Sequence, residues 1–189
     1  MMNDDDVDFK RFILLVSVPA ILILAFLGLN LRTAAFGEEI VLEVAPVDPR
    51  DLFRGDYVRL GYEISRISLN ETPHDLGFSN GEAIYGTLSQ KGEFWTLDSV
   101  SHNRPRAKEG QVFMKGRVTW SANDNVSIEW GIESYFLPEG EGKSIERQRD
   151  GNLSAVVAVA SSGNAVLREL LIDGEALNSI DAKITLRHK

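Results

Sequence analysis

Twenty consecutive residues from Phe12 to Leu31 (F-I-L-L-V-S-V-P-A-I-L-I-L-A-F-L-G-L-N-L) carry no charge. At about 1.5 Å of rise per residue, a helix of that length matches the roughly 30 Å hydrocarbon core of a bilayer. The run therefore predicts a transmembrane helix over 12–31, with a cytoplasmic tail at 1–11, a linker at 32–37 and one domain over 38–189. Pro19 and Gly28 fit such a helix, since both are tolerated where Ser17 or a neighbouring helix satisfies freed backbone groups. Lys10 and Arg11 precede the run and Arg32 closely follows it. On the positive-inside rule the amino terminus is cytoplasmic and the domain extracytoplasmic; Asp4, Asp5, Asp6 and Asp8 count for little in that rule.

Two other structures suit an apolar run near an amino terminus. A cleaved signal peptide would use the small residues Thr33-Ala34-Ala35 before Phe36, but its apolar region normally spans about 7–15 residues, shorter than this one. A helix buried in a soluble core would not be apolar without a break over this length. A retained anchor is the expectation.

The 157 residues after Arg32 suffice for one domain with its own core. Of the net charge of −8, −7 lies in that part, the wrong sign for a phosphate-tracking face, so nucleic acid is not an expected partner. The chain has no cysteine, which excludes disulfides, thiol nucleophiles and thiolate metal sites. His74, His102 and His188 show no paired ligand spacing. No metal or other cofactor is expected.

The exported part alternates in short runs. Glu38–Val44 places Ile40, Leu42 and Val44 on one face, the period of two of a half-buried strand. Tyr57–Ile64 does the same, with Val58, Leu60, Tyr62 and Ile64 opposite Tyr57, Arg59, Gly61 and Glu63. Further strands are predicted over 83–88 and 94–100, joined by a five-residue loop at 89–93, and over 111–120 and 126–136, turning at 122–125. A third hairpin pairs 153–160 with 165–172, and 180–186 forms a last strand. Residues 65–82 read as a long loop with at most one helical turn near Pro73–Leu76, and 143–149 as a short helix. The fold class is mainly β, an antiparallel sandwich or small barrel. If Thr33–Glu39 were an extended tether, it would hold the domain within roughly 25 Å of the bilayer.

The stretch D-P-R-D-L-F-R-G-D-Y-V-R-L-G-Y-E-I, Asp48–Ile64, combines a turn with a strand. Pro49 fixes a backbone angle, Gly55 accepts positive φ, and Asp56 can bond its own backbone. Tyr57 and Tyr62 differ in parity, so one ring faces the core and the other faces outward. Arg50, Arg54 and Arg59 flank the turn beside Asp48, Asp51 and Asp56, as a solvated ion-pair mesh or, two of them together, as a clamp for a carboxylate or phosphate. A second group comprises Glu133, which shares a strand face with Tyr135, together with Glu139 and Glu146. A fold-back at Pro138-Glu139-Gly140 would bring Glu133 and Glu139 together for a cation or basic partner. Otherwise Glu133 pairs with an arginine across the sheet and Glu139 is solvated.

Gly55-Asp56-Tyr57-Val58-Arg59-Leu60-Gly61-Tyr62 reproduces the signature of the GDYXXLXY family of bacterial membrane-anchored proteins. Val47–Asp51, Lys115–Val118 and Gly131–Gly140 also resemble that family. The resemblance implies a single amino-terminal span and an extracytoplasmic domain, often encoded beside or fused to multi-pass membrane proteins, and implies no particular activity. The pattern P-x-x-L-x-x-G-D-x-V also weakly resembles the stretch following the nucleophilic serine of signal peptidases. Here no serine stands in Pro46–Asp51, Val47 lies near its place, and Lys115 alone makes no dyad. An Asp56 and Glu133 acid pair for glycoside cleavage is the other enzymatic option. The sequence thus points to a non-enzymatic binding or accessory module docking on an integral membrane or envelope partner, with an envelope hydrolase or a catalytically silent relative of signal peptidases as the alternative.

Overall fold

The structure, a computed structural model, describes residues 4–45, 57–75, 77–136 and 152–176. Its first element is a helix, α1 (Asp4–Phe36), interrupted by nothing, including Pro19. Within it Arg11–Phe36, 26 residues, is long and apolar enough to cross a membrane, and no side chain of its apolar run, Phe12–Leu31, is buried against the rest of the chain. The polar side chains in the run turn inward to their own backbone. Asn30 donates to the Phe26 carbonyl at 2.9 Å and Thr33 to the Leu29 carbonyl at 3.0 Å, so neither presents an unmet donor to an apolar surrounding.

The helix outlasts the apolar run. Residues 32–36, expected as linker, continue α1, and Gly37 alone separates it from β1 (Glu38–Ala45). Hydropathy ends at the first charge, but helical hydrogen bonding does not, and the Gly37 N–H still donates to the Thr33 carbonyl at 2.8 Å. Thr33, only 9 % exposed, packs where α1 meets the sheet. A Cβ on Gly37 would lie 2.5 Å from the Thr33 oxygen and 2.9 Å from the Val159 nitrogen. The joint is a close backbone approach rather than an extended tether.

Among the described residues the strands form two five-stranded antiparallel sheets and a two-stranded ribbon. The strands are β2 (Tyr57–Arg59), β3 (Gly61–Tyr62), β4 (Arg66–Ser68), β5 (Ala83–Lys91), β6 (Phe94–Ser101), β7 (Gln111–Ala122), β8 (Asn125–Glu129), β9 (Ser134–Phe136), β10 (Leu153–Val159), β11 (Ala165–Ile172) and β12 (Glu175–Ala176). One sheet has the order β12-β11-β10-β1-β3, the other β4-β8-β7-β5-β6, and β2 pairs with β9. Both sheets contribute to one core. Ile40 and Leu42 of β1 and Val157 of β10 meet Ile84, Leu88, Met114 and Val118 of the facing sheet. Each such fully buried aliphatic side chain contributes about 1.5–3 kcal/mol, so the alternation in β1 decides which of its faces turns inward.

The hairpins follow their turn residues. Asn123 and Asp124 both hold positive φ, the backbone of a tight two-residue turn between β7 and β8. The β5–β6 loop is shorter than the five residues expected, because Lys91 pairs directly with Phe94 across Gly92-Glu93. The expected long loop at 65–82 contains a strand, β4, paired with β8, and its predicted helical turn is instead a bridge from His74 to Val100. The predicted helix at 143–149 and strand at 180–186 lie outside the described residues.

Two strands expected as continuous are each broken where the pairing partner changes. Tyr57–Ile64 divides into β2, which pairs with β9, and β3, which pairs with β1, and ends in a 3-10 turn at Glu63–Ser65. The expected parity survives the break, with Leu60, Tyr62 and Ile64 buried and Arg59 and Glu63 exposed. Val126–Phe136 divides into β8 and β9 around residues 130–133.

The joint at Gly37 generates a prediction. Gly37→Ala in the full chain in detergent micelles should lower stability by about 1–3 kcal/mol in urea unfolding, because backbone must move to admit the methyl group. Gly28→Ala, with nothing within 4 Å of the added carbon, should leave it unchanged.

Candidate functional site

The family-like blocks converge beyond the end of β1. Val44 and Ala45 of β1 pair with Tyr62 and Gly61 of β3, so Tyr57–Arg59 lie still farther from α1. There β2 and β9 align Tyr57 with Phe136, Val58 with Tyr135 and Arg59 with Ser134. From Glu38 to Ala45 the chain covers about 23 Å at roughly 3.3 Å per residue, so the ribbon and the helix joint occupy opposite ends of β1. Ala45, Tyr57, Phe136 and Asn152, the described residues that bracket 46–56 and 137–151, belong to that far end.

Below the ribbon two hydrogen bonds tie the blocks together. The Leu60 N–H donates to the Glu133 carbonyl at 2.8 Å. The Tyr62 hydroxyl donates to the Ile132 carbonyl, also at 2.8 Å, from a ring that is 1 % exposed. Burial, and secondarily the Glu133 charge, pushes the Tyr62 phenol far above its ordinary range. It remains a neutral donor at every physiological pH.

The turn that receives these bonds has its own cap. The ladder of β8 stops at Glu129, leaving amides that need partners. The Glu133 carboxylate folds back to supply them: one oxygen accepts the Trp130 N–H and the other accepts the Gly131 N–H at 2.9 Å. Gly131, at φ +83°, holds a conformation that few side-chain-bearing residues adopt. Burial pushes the Glu133 carboxyl above the usual carboxylate range; the backbone N–H groups oppose that and Glu129 adds to it.

Trp130 seats the turn on the sheet. Its ring, 3 % exposed, lies across two glycines on neighbouring strands, Gly86 of β5 and Gly116 of β7. A Cβ on Gly86 would come within 2.6 Å of the ring and one on Gly116 within 2.8 Å. The block Lys115–Val118 thus contributes a gap, filled by Trp130, the residue immediately before the Gly131 block.

Of the residues singled out in the sequence, Tyr62 and Glu133 come together in this way, and Tyr135 is half-buried on β9 opposite Val58. Tyr57 is placed on β2 by its backbone. Arg50, Arg54, Asp56, Glu139 and Glu146 lie outside the described residues, and with them the expected meeting of Glu133 with Glu139. Among the described residues the partners of the Glu133 carboxylate are backbone amides. Trp130, Ile132, Gly86 and Gly116 carry as much of the arrangement, and one sequence signal for them was a strand-interior glycine on each of β5 and β7.

A second polar cluster holds the loop before β5. The His102 Nδ1 lies 3.0 Å from an Asp75 oxygen and its Nε2 3.6 Å from Glu82, while its ring stacks on Phe78 at 4.3 Å. Asp75 also accepts the His102 backbone N–H, so the cluster fastens Asp75, Phe78 and Glu82 to the end of β6. Among the described residues no group of three His, Asp or Glu side chains could hold a metal ion.

Fold and site together define a β domain carried on one long apolar helix, with its strand blocks laced into a ribbon at the opposite end. A family model described as GDYXXLXY protein matches residues 19–170, from within α1 to β11, and the chain belongs to that family. Nothing matches among curated proteins or among solved structures.

The clasp is testable in the full chain in micelles. Tyr62→Phe should cost about 1–2 kcal/mol in urea unfolding, because the Ile132 carbonyl is left buried without a donor. The native Glu133 carboxyl keeps its proton to higher pH than the unfolded one. Across that window the native state binds more protons, and stability falls as pH rises from the ordinary glutamate range through the raised value. Urea midpoints measured against pH should show that fall, and Glu133→Gln should remove it while lowering stability at every pH.

Proposed function

We propose that this protein is a membrane-anchored extracytoplasmic binding or accessory module that docks on an integral membrane or cell-envelope partner through the end of the domain that carries the ribbon. One observation carries the reading: an apolar helix that the domain leaves uncovered joins a sheet whose far end bears the family signature. A helix with large apolar side chains exposed around it, from Phe12 to Leu31, is stable where lipid surrounds it. Lys10 and Arg11 on one side against Arg32 on the other favour a cytoplasmic amino terminus in the inner (plasma) membrane.

Tyr62 and Glu133 act inside this module as scaffold, and the outward groups at the far end make the contact. Arg59 is exposed on β2 and Ser134 on β9. Arg50, Arg54, Asp56, Tyr57, Tyr135 and Glu139, in or beside the bracketed stretches, extend the proposed surface. Protein partners suit it better than lipid, because about 23 Å of β1 separates the ribbon from the end of the helix.

A photo-crosslinking amino acid at Arg59, activated in native membranes, should yield one dominant protein adduct, and the same probe at Arg117 should not. Adducts to lipid alone, or the same protein pattern from both positions, would sink the docking assignment. Protease added to cells with a permeabilised outer membrane should trim the domain; full protection would overturn the orientation.

A further inference from the structure

At the helix joint a groove of about 640 Å³ opens between α1, the β10–β11 loop and the segment leading into β7. Its lining changes character along its length. Leu29 belongs to the apolar run, Arg32 is the first charge after it, and Phe36, 85 % exposed, stands at the rim. Across from them lie Arg104 and Ser162, with Glu38 the one acid in the lining among the described residues. Arg104 is held in place, donating to the Ser161 carbonyl at 2.7 Å with its guanidinium 5.1 Å from the centre of the Phe113 ring. One of its five N–H groups is thereby used, which leaves donors for a ligand.

We propose that this groove binds the phosphate headgroup of an anionic phospholipid, an inference that rests on the membrane-anchored reading above. Position argues for the occupant. If Phe12–Leu31 fills the hydrocarbon, Arg32 marks the headgroup level, and the groove begins at Leu29 just inside it. Charge argues for it too. The domain is acidic overall, yet Arg104, Arg106 and Lys108 fall within five residues, all exposed, and Ala107 between them lines the groove. Arg32 makes no ion pair among the described residues. Two guanidinium groups can take a phosphate in fork geometry, Arg106 and Lys108 add attraction to the bound headgroup's charge, and Leu29 and Phe36 offer apolar surface to the chain below. Glu38 opposes an anion, which directs the phosphate to the Arg32 and Arg104 side.

The test uses the full chain purified in detergent and reconstituted in nanodiscs of phosphatidylcholine alone or doped with phosphatidylglycerol, with retained lipid read by native mass spectrometry. The wild type should retain phosphatidylglycerol preferentially, and inorganic phosphate should not displace it. Arg32→Gln and Arg104→Gln should each reduce that retention roughly fivefold, about the worth of one cation at an anionic surface. Arg104→Lys should keep most of it, and Arg117→Gln, on β7 opposite Glu129, should change nothing. Equal retention of the two lipids, unchanged retention in both glutamine variants, or displacement by inorganic phosphate would overturn the site. Should Arg104→Gln lower the melting temperature, the exposed pair Arg106→Gln and Lys108→Gln decides the matter by the same readout. Alkaline carbonate extraction separates the two failures: a chain stripped from membranes refutes the anchor, whereas one that stays while retention is unaltered refutes only the lipid site.

Discussion

The hydroxyl of Tyr62 and the carbonyl of Ile132 meet in a place that water does not reach, and the far half of the domain depends on that meeting. A buried carbonyl without a donor costs more than a made hydrogen bond contributes, so the contact acts chiefly as a constraint on register. It can form only if Leu60 reaches Glu133, if Gly131 takes its left-handed angle, and if Trp130 lies flat over Gly86 and Gly116. Blocks separated by tens of residues are thus conditions on one another. The physical content of the GDYXXLXY signature within the described residues is a leucine and a tyrosine that fasten one strand to a distant turn.

Much of the fold could be read along the chain, and the parts that could not share a cause. Period-two alternation located β1, and β-rich runs between turn residues located β5, β6, β7, β10 and β11, because none of these strands exchanges one neighbour for another along an edge. Alternation is blind to a change of partner. Tyr57–Ile64 keeps its parity while passing from β9 to β1, and Val126–Phe136 looks continuous although the amides of residues 130 and 131 leave the sheet for a side-chain cap. Strand β4 carries one buried residue, Ile67, too few to show a period.

The site was legible to a lesser degree. Glu133 stands out in the sequence as an acid beside a turn, and Tyr62 as part of a signature, but nothing in their spacing reveals that each is engaged with the same short turn. Burial and backbone bonding are properties of the assembled sheets. The end of α1 shows the same limit: composition marks where apolar residues stop at Leu31, whereas the helix ends where Gly37 allows the chain to meet Val159.

The absence of slack at Gly37 couples the azimuth of the domain to the rotation of the helix. One residue added within α1 would turn everything above it by about 100° and lift it by about 1.5 Å. A protein that holds the helix inside the bilayer would therefore also aim the ribbon, as a keel sets the heading of a mast. Phase as well as length is thereby placed under constraint along the apolar run, although no side chain from Phe12 to Leu31 is buried by the domain it carries.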